Sequence, residues 1–127
     1  MRSIFVAVAA LNGLAAVAIG AAAEHLWAGD PHAVMLAETG VRYGLPHAAV
    51  LVALAAIPPP ASASARMFLV AAGGSLALGA TLFCGSLYAL AAGGIASIGR
   101  LAPVGGSLMI LGWVLLLGFA AVSPRRS

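Results

Sequence analysis

The sequence predicts an all-α membrane protein built as a bundle of four transmembrane helices. Three observations predict it. Hydrophobic residues make up 63% of the chain and charged residues 7%, against roughly 25% charged in globular proteins. The apolar residues fall into long runs separated by short polar or proline-rich breaks. There is no lysine, so a water-facing surface could not be covered by charge. In lipid only helices and closed barrels satisfy their own backbone, and runs of this length are helical.

The net charge is +3 and the pI near 10.0. The arginines stand singly except for Arg125 and Arg126. They form no basic stripe, so they read as membrane-flanking charge and no nucleic-acid partner is expected. Cys84 is the one cysteine. It forms no internal disulfide, and no CxxC metal motif can exist. The length suits one domain over residues 1–127.

The first span is expected over residues 4–23, about one hydrocarbon thickness as a helix. Its start resembles a signal peptide, with Arg2 ahead of an apolar run and Ala21-Ala22-Ala23 as a small-residue site. The run is long enough to span, and retention is expected. Asn12, Gly13, Ala16 and Gly20 recur at spacings that let a second backbone approach.

Asp30-Pro31 reads as an N-cap followed by proline at the first helical position, so a helix begins near Pro31. The purely apolar part of this second helix, Ala48 to Ile57, rises only about 15 Å. To span, over residues 38–57, it must draw Glu38, Arg42, Tyr43 and His47 toward membrane depth. Pro46 removes the donor to the Arg42 carbonyl, and a kink is expected there.

Pro58-Pro59-Pro60 ends that helix. The third span is expected over residues 67–91, with Ser75, Gly79, Leu82 and Ser86 on one face. After a turn containing Gly93-Gly94 and Arg100, the fourth runs over residues 103–122 and carries Gly105, Gly112 and Trp113. Gly13, Gly20, Ser75, Gly79, Gly105 and Gly112 are the candidate helix-packing positions. Four spans put Arg2, Arg66, Arg125 and Arg126 on one side. Arg42, Arg100 and all the acids, Glu24, Asp30 and Glu38, fall on the other. The positive-inside rule then places both termini in the cytoplasm.

All acids and histidines lie between Glu24 and His47. Ionisable groups near membrane depth are costly and mark functional candidates. Glu38 and Arg42 stand at helical spacing for a pair, which would also serve simple mutual neutralisation. His47 is read either as a hydrogen-bonded structural group or as a relay or ligand contact. Tyr43 is read either as an interfacial residue or as its neighbour in a polar core. Ser86 and Tyr88 are the expected hydroxyl partners. His25, His32 and Met35 lack a fixed ligand spacing, so no metal and no cofactor are expected. No nucleophile elbow, phosphate loop or zinc signature is present, and no catalytic residue is assigned.

Several strings carry a family resemblance. Gly20-Ala21-Ala22-Ala23-Glu24-His25 ends the first span, followed by Thr39-Gly40-Val41-Arg42-Tyr43 and His47-Ala48. The third span holds Leu82-Phe83-Cys84-Gly85-Ser86-Leu87-Tyr88, and the fourth holds Pro103-Val104-Gly105-Gly106 and Gly112-Trp113. In this order they resemble the DUF423 family of small membrane proteins, which includes the bacterial UPF0382 inner-membrane proteins and the eukaryotic transmembrane protein 256. The chain departs from that pattern at Cys84, where the family usually has serine, and at Gly44 and Pro46. The resemblance implies a multi-spanning protein of the bacterial inner membrane with no assigned reaction. It also implies a shared polar core at His25, Tyr43, His47, Ser86, Tyr88 and Trp113.

Two functions follow as expectations. One is a non-catalytic packing or accessory subunit, in a homo-oligomer or with other membrane subunits, its small-residue faces meeting other chains. The other is a small binding or conduction protein that uses Glu38, Arg42, Tyr43 and His47 for protons, a lipid headgroup or a small ligand.

Overall fold

The computed structural model describes residues 1–123, and within them the fold is entirely helical. Helix α1 runs Arg2–His25, α2 Pro31–Ala56, α3 Ala63–Ala91 and α4 Leu101–Val122, with a short 3-10 turn at Ala96–Arg100 before α4. Arg125 and Arg126 lie outside the described residues.

The helix ends follow the local chemistry. The Asp30 carboxylate accepts from His32 N at 3.0 Å and Ala33 N at 3.1 Å, with Pro31 in the first turn. Two of the amides that a helix start leaves without partners are thereby satisfied. Ser62 Oγ accepts from Ala65 N at 3.4 Å, so α3 begins at Ala63, ahead of the span expected over residues 67–91. Gly93, at φ +86°, lets the chain reverse after α3. Arg2 is more than membrane-flanking charge. Its Nε donates to Ala55 O at 2.8 Å and its Nη2 to Ala56 O at 3.2 Å, capping the end of α2.

Helix α2 continues without interruption through Pro46. The side chain nearest the expected kink acts on the adjacent carbonyl, since His47 Nδ1 lies 2.8 Å from Tyr43 O. Three stretches are long and apolar enough to cross a bilayer: Arg2–His25, Ala63–Ala91 and Ala96–Val122. Helix α2 has the length but carries Glu38 and Arg42.

Helix α3 is the hub. It packs against α4 on one side and α2 on the other, while α1 packs chiefly on α2. No Cα atom of α4 comes within 8 Å of α1 or α2 among the described residues. The arrangement is therefore open along one flank. One buried cluster, with Phe5, Leu51, Leu54, Leu69 and Leu76, joins α1, α2 and α3. A smaller one at the other end joins Ala23, Ala33, Ala37 and Ala91.

Small residues set the helix spacing. A Cβ on Gly79 would stand 2.7 Å from Met109 N and 2.8 Å from Gly105 O, so α3 and α4 touch backbone to backbone. Gly112 admits Leu76, Gly118 admits the Phe68 ring, and Gly73 admits Phe5. Gly13 and Gly20 make ordinary contact with Ala48 and Val41 of α2. Ser75 is half-buried.

Candidate functional site

Because α2 and α4 both lean on α3 with no pair of their Cα atoms within 8 Å among the described residues, a cleft is left between them. Tyr43 and His47 line it from α2, Phe83 from α3, and Gly106, Met109, Ile110 and Trp113 from α4. Its volume is about 280 Å³. Tyr43 and His47 share a face because they are one helical turn apart. Gly106 puts no side chain into the cleft; a Cβ there would make ordinary contact with the Phe83 ring at 3.8 Å, so only a larger side chain would fill the space.

The polar link across the cleft is Trp113 Nε1–H donating to His47 Nε2 at 3.2 Å. An indole N–H can only donate, so Nε2 must be the acceptor. The ring proton then sits on Nδ1 and is donated to Tyr43 O at 2.8 Å. The imidazole is neutral, and both its nitrogens are engaged. His47 is buried at 8% exposure. The rings meet edge to face: His47 and Trp113 at 6.1 Å and 73°, Tyr43 and Phe83 at 5.1 Å and 66°.

Tyr43 and His47 thus lie together in a polar core, as their spacing predicts, Tyr43 against Phe83 of α3 and His47 against Trp113 of α4. The other expected partners are elsewhere. Ser86 is buried, and its hydroxyl donates to Phe83 O in its own helix at 2.8 Å. Tyr88 lies with its ring over Gly40 and its hydroxyl near Gly44, buried and without a hydrogen-bond partner. Glu38 and Arg42 are exposed and line a separate depression between α1 and α2 with Gly20, Ala23, Glu24 and Val41. His25 is exposed at the end of α1. Among the described residues, no cluster of three or more His, Cys, Asp or Glu could hold a metal ion.

One polar contact was missed in the sequence. Asn12 Nδ2 donates to Thr81 Oγ1 at 3.0 Å and to Val8 O at 2.9 Å, and Thr81 in turn donates to Ala77 O at 2.8 Å. Asn12 is the sole asparagine and stands mid-helix in an apolar run. That position was the available signal.

Comparison with known proteins agrees with the sequence resemblance. Residues 19–106 match the family described as protein of unknown function (DUF423). The UPF0382 membrane protein YwdK of Bacillus subtilis is 32% identical over 117 residues, covering 90% of this chain and 93% of the relative. A UPF0382 membrane protein of Haemophilus influenzae is 33% identical over 121 residues, covering 91% and 92%. The UPF0382 inner membrane protein YgdD of Escherichia coli is 32% identical over 120 residues, covering 93% and 89%. No solved structure matches the chain. With matches along nearly its whole length and helices apolar enough to span a bilayer, the chain belongs to the DUF423 (UPF0382) family of membrane proteins.

Proposed function

We propose that this is a non-catalytic inner-membrane protein that takes up a small apolar or amphiphilic molecule from the bilayer into the α2–α4 cleft. In this reading α2 is a fourth span, and both termini are cytoplasmic. Arg2 and Arg66 then share the cytoplasmic side, and Glu24, Asp30, Glu38, Arg42 and Arg100 the other.

The observation that carries the reading is the cleft itself. It is about 280 Å³, lined by aromatic and apolar side chains, and joined across its width by the His47–Trp113 hydrogen bond. Pockets for small ligands have this character: mostly apolar walls with a few placed polar groups. The reading as a packing or accessory subunit rests on small-residue faces free to meet other chains. Gly79, Gly105 and Gly112 are occupied by contacts within this chain, while Gly74 and Gly85 have nothing within 4 Å of a Cβ.

The test is native mass spectrometry of the full chain released from nanodiscs of native lipid extract, beside Gly106→Leu, which fills the cleft. A retained small molecule that the variant loses supports the proposal. Equal adduct patterns in both proteins, or none in either, refute it.

A further inference from the structure

We propose that the ligand of the cleft is a membrane quinone: a flat six-membered ring with two opposed carbonyl oxygens on an apolar tail. The inference rests on the cleft being a binding site and names what it binds.

The shape of the walls is the first argument. Four aromatic rings, of Tyr43, His47, Phe83 and Trp113, surround the space, with Met109 and Ile110 completing it. Aromatic rings favour offset or edge-to-face contact with another ring, and a thioether packs well against one. Drug-sized ligands fill pockets of roughly 300–1,000 Å³. A cavity of about 280 Å³ lies just below that range and suits one ring better than a fused polycycle.

The donors are the second argument. Tyr43 carries a phenol O–H and is 45% exposed in the cleft wall. The Trp113 N–H reaches His47 across 3.2 Å, the long limit of an N–H hydrogen bond, and a carbonyl oxygen can take it over. The two donors stand on opposite walls, Tyr43 O–H on α2 and Trp113 N–H on α4. Each can hold one of two opposed carbonyl oxygens on a ring lying between them.

Charge and access are the third argument. Among the described residues no Asp, Glu, Lys or Arg lines the cleft, which disfavours a phosphate headgroup. Ile110 and Trp113 stand at the open side, 68% and 47% exposed. The flank between α2 and α4 is where a lipid-dissolved ring can enter, leaving its tail outside. A saturated acyl chain could fill the space but would use neither donor.

The test uses full-length protein in nanodiscs with Trp27→Phe, which leaves Trp113 as the one tryptophan. A decyl-tailed benzoquinone is titrated while Trp113 fluorescence is read. The expected result is saturable quenching, weakened about tenfold by Tyr43→Phe through loss of one hydrogen bond. Gly106→Leu should abolish it while helical content by circular dichroism stays unchanged. An equimolar decyl-tailed cyclohexane should not relieve the quenching. If it does, or if Tyr43→Phe binds like the parent, the quinone assignment falls while the cleft remains a binding site. If quenching rises linearly with membrane quinone and Gly106→Leu behaves the same, ligand class and binding site fall together.

Discussion

Trp113 and His47 are 66 residues apart in sequence, and the 3.2 Å bond between their ring nitrogens spans a gap that the backbones of α2 and α4 leave open. Trp113 Nε1–H donates to His47 Nε2, and the imidazole donates its own Nδ1–H to Tyr43 O. Removing the imidazole strands the indole donor in a largely apolar setting.

His47→Ala should therefore lower stability by about 1–3 kcal/mol, the cost of leaving the indole N–H without an acceptor in an apolar setting. Trp113→Phe keeps an aromatic ring and leaves His47 its bond to Tyr43 O, so its cost should be smaller. Thermal unfolding of the purified variants in one detergent measures both. Equal, negligible losses would show that the pair contributes nothing.

Gly79→Leu should destabilise by about 3 kcal/mol or more, because the new side chain meets backbone atoms of Gly105 and Met109 that cannot move aside. Gly85→Leu is the matched control in the same helix. Nothing lies within 4 Å of a Cβ there, and the change should stay within about 0.5 kcal/mol. The contrast is read from unfolding midpoints in the same detergent.

Tyr88→Phe should be neutral or stabilising by up to about 1 kcal/mol. The hydroxyl is buried with no partner, so its removal relieves an unmet desolvation cost. Gly40→Ala should be strongly destabilising, since the added methyl would occupy the position of the Tyr88 ring. A large loss in Tyr88→Phe would reveal a hydrogen bond at that hydroxyl.

Arg2→Ala should cost about 1 kcal/mol by uncapping the last carbonyls of α2. Faster hydrogen exchange should follow in the final turn of α2 and not at its Asp30 end. Uniform exchange along α2 would contradict the capping role.

Much of the fold was legible because membrane helices announce themselves through run length and breaks. The Asp30-Pro31 start, the stop at the prolines 58–60 and the turn at Gly93 were read from local chemistry alone. The Tyr43–His47 pairing was legible because it needs only helical spacing. The partner of His47 was harder. A hydrogen bond across 66 residues depends on which helices flank α3, and periodicity does not encode that order. The same limit misled the reading of Ser86 and Tyr88. Each has a hydroxyl at a plausible depth, yet one bonds its own helix and the other meets glycines of α2.

The way α4 is attached has a consequence for how the chain assembles. The larger buried cluster is complete within α1, α2 and α3, and α4 adds only the partly buried Leu116 and Phe119 to its edge. Helix α4 joins α3 along a glycine seam, at Gly79, Gly105 and Gly112. Four of the seven residues that line the cleft, Gly106, Met109, Ile110 and Trp113, come from α4. The cavity therefore exists only where that seam is closed and Trp113 reaches His47.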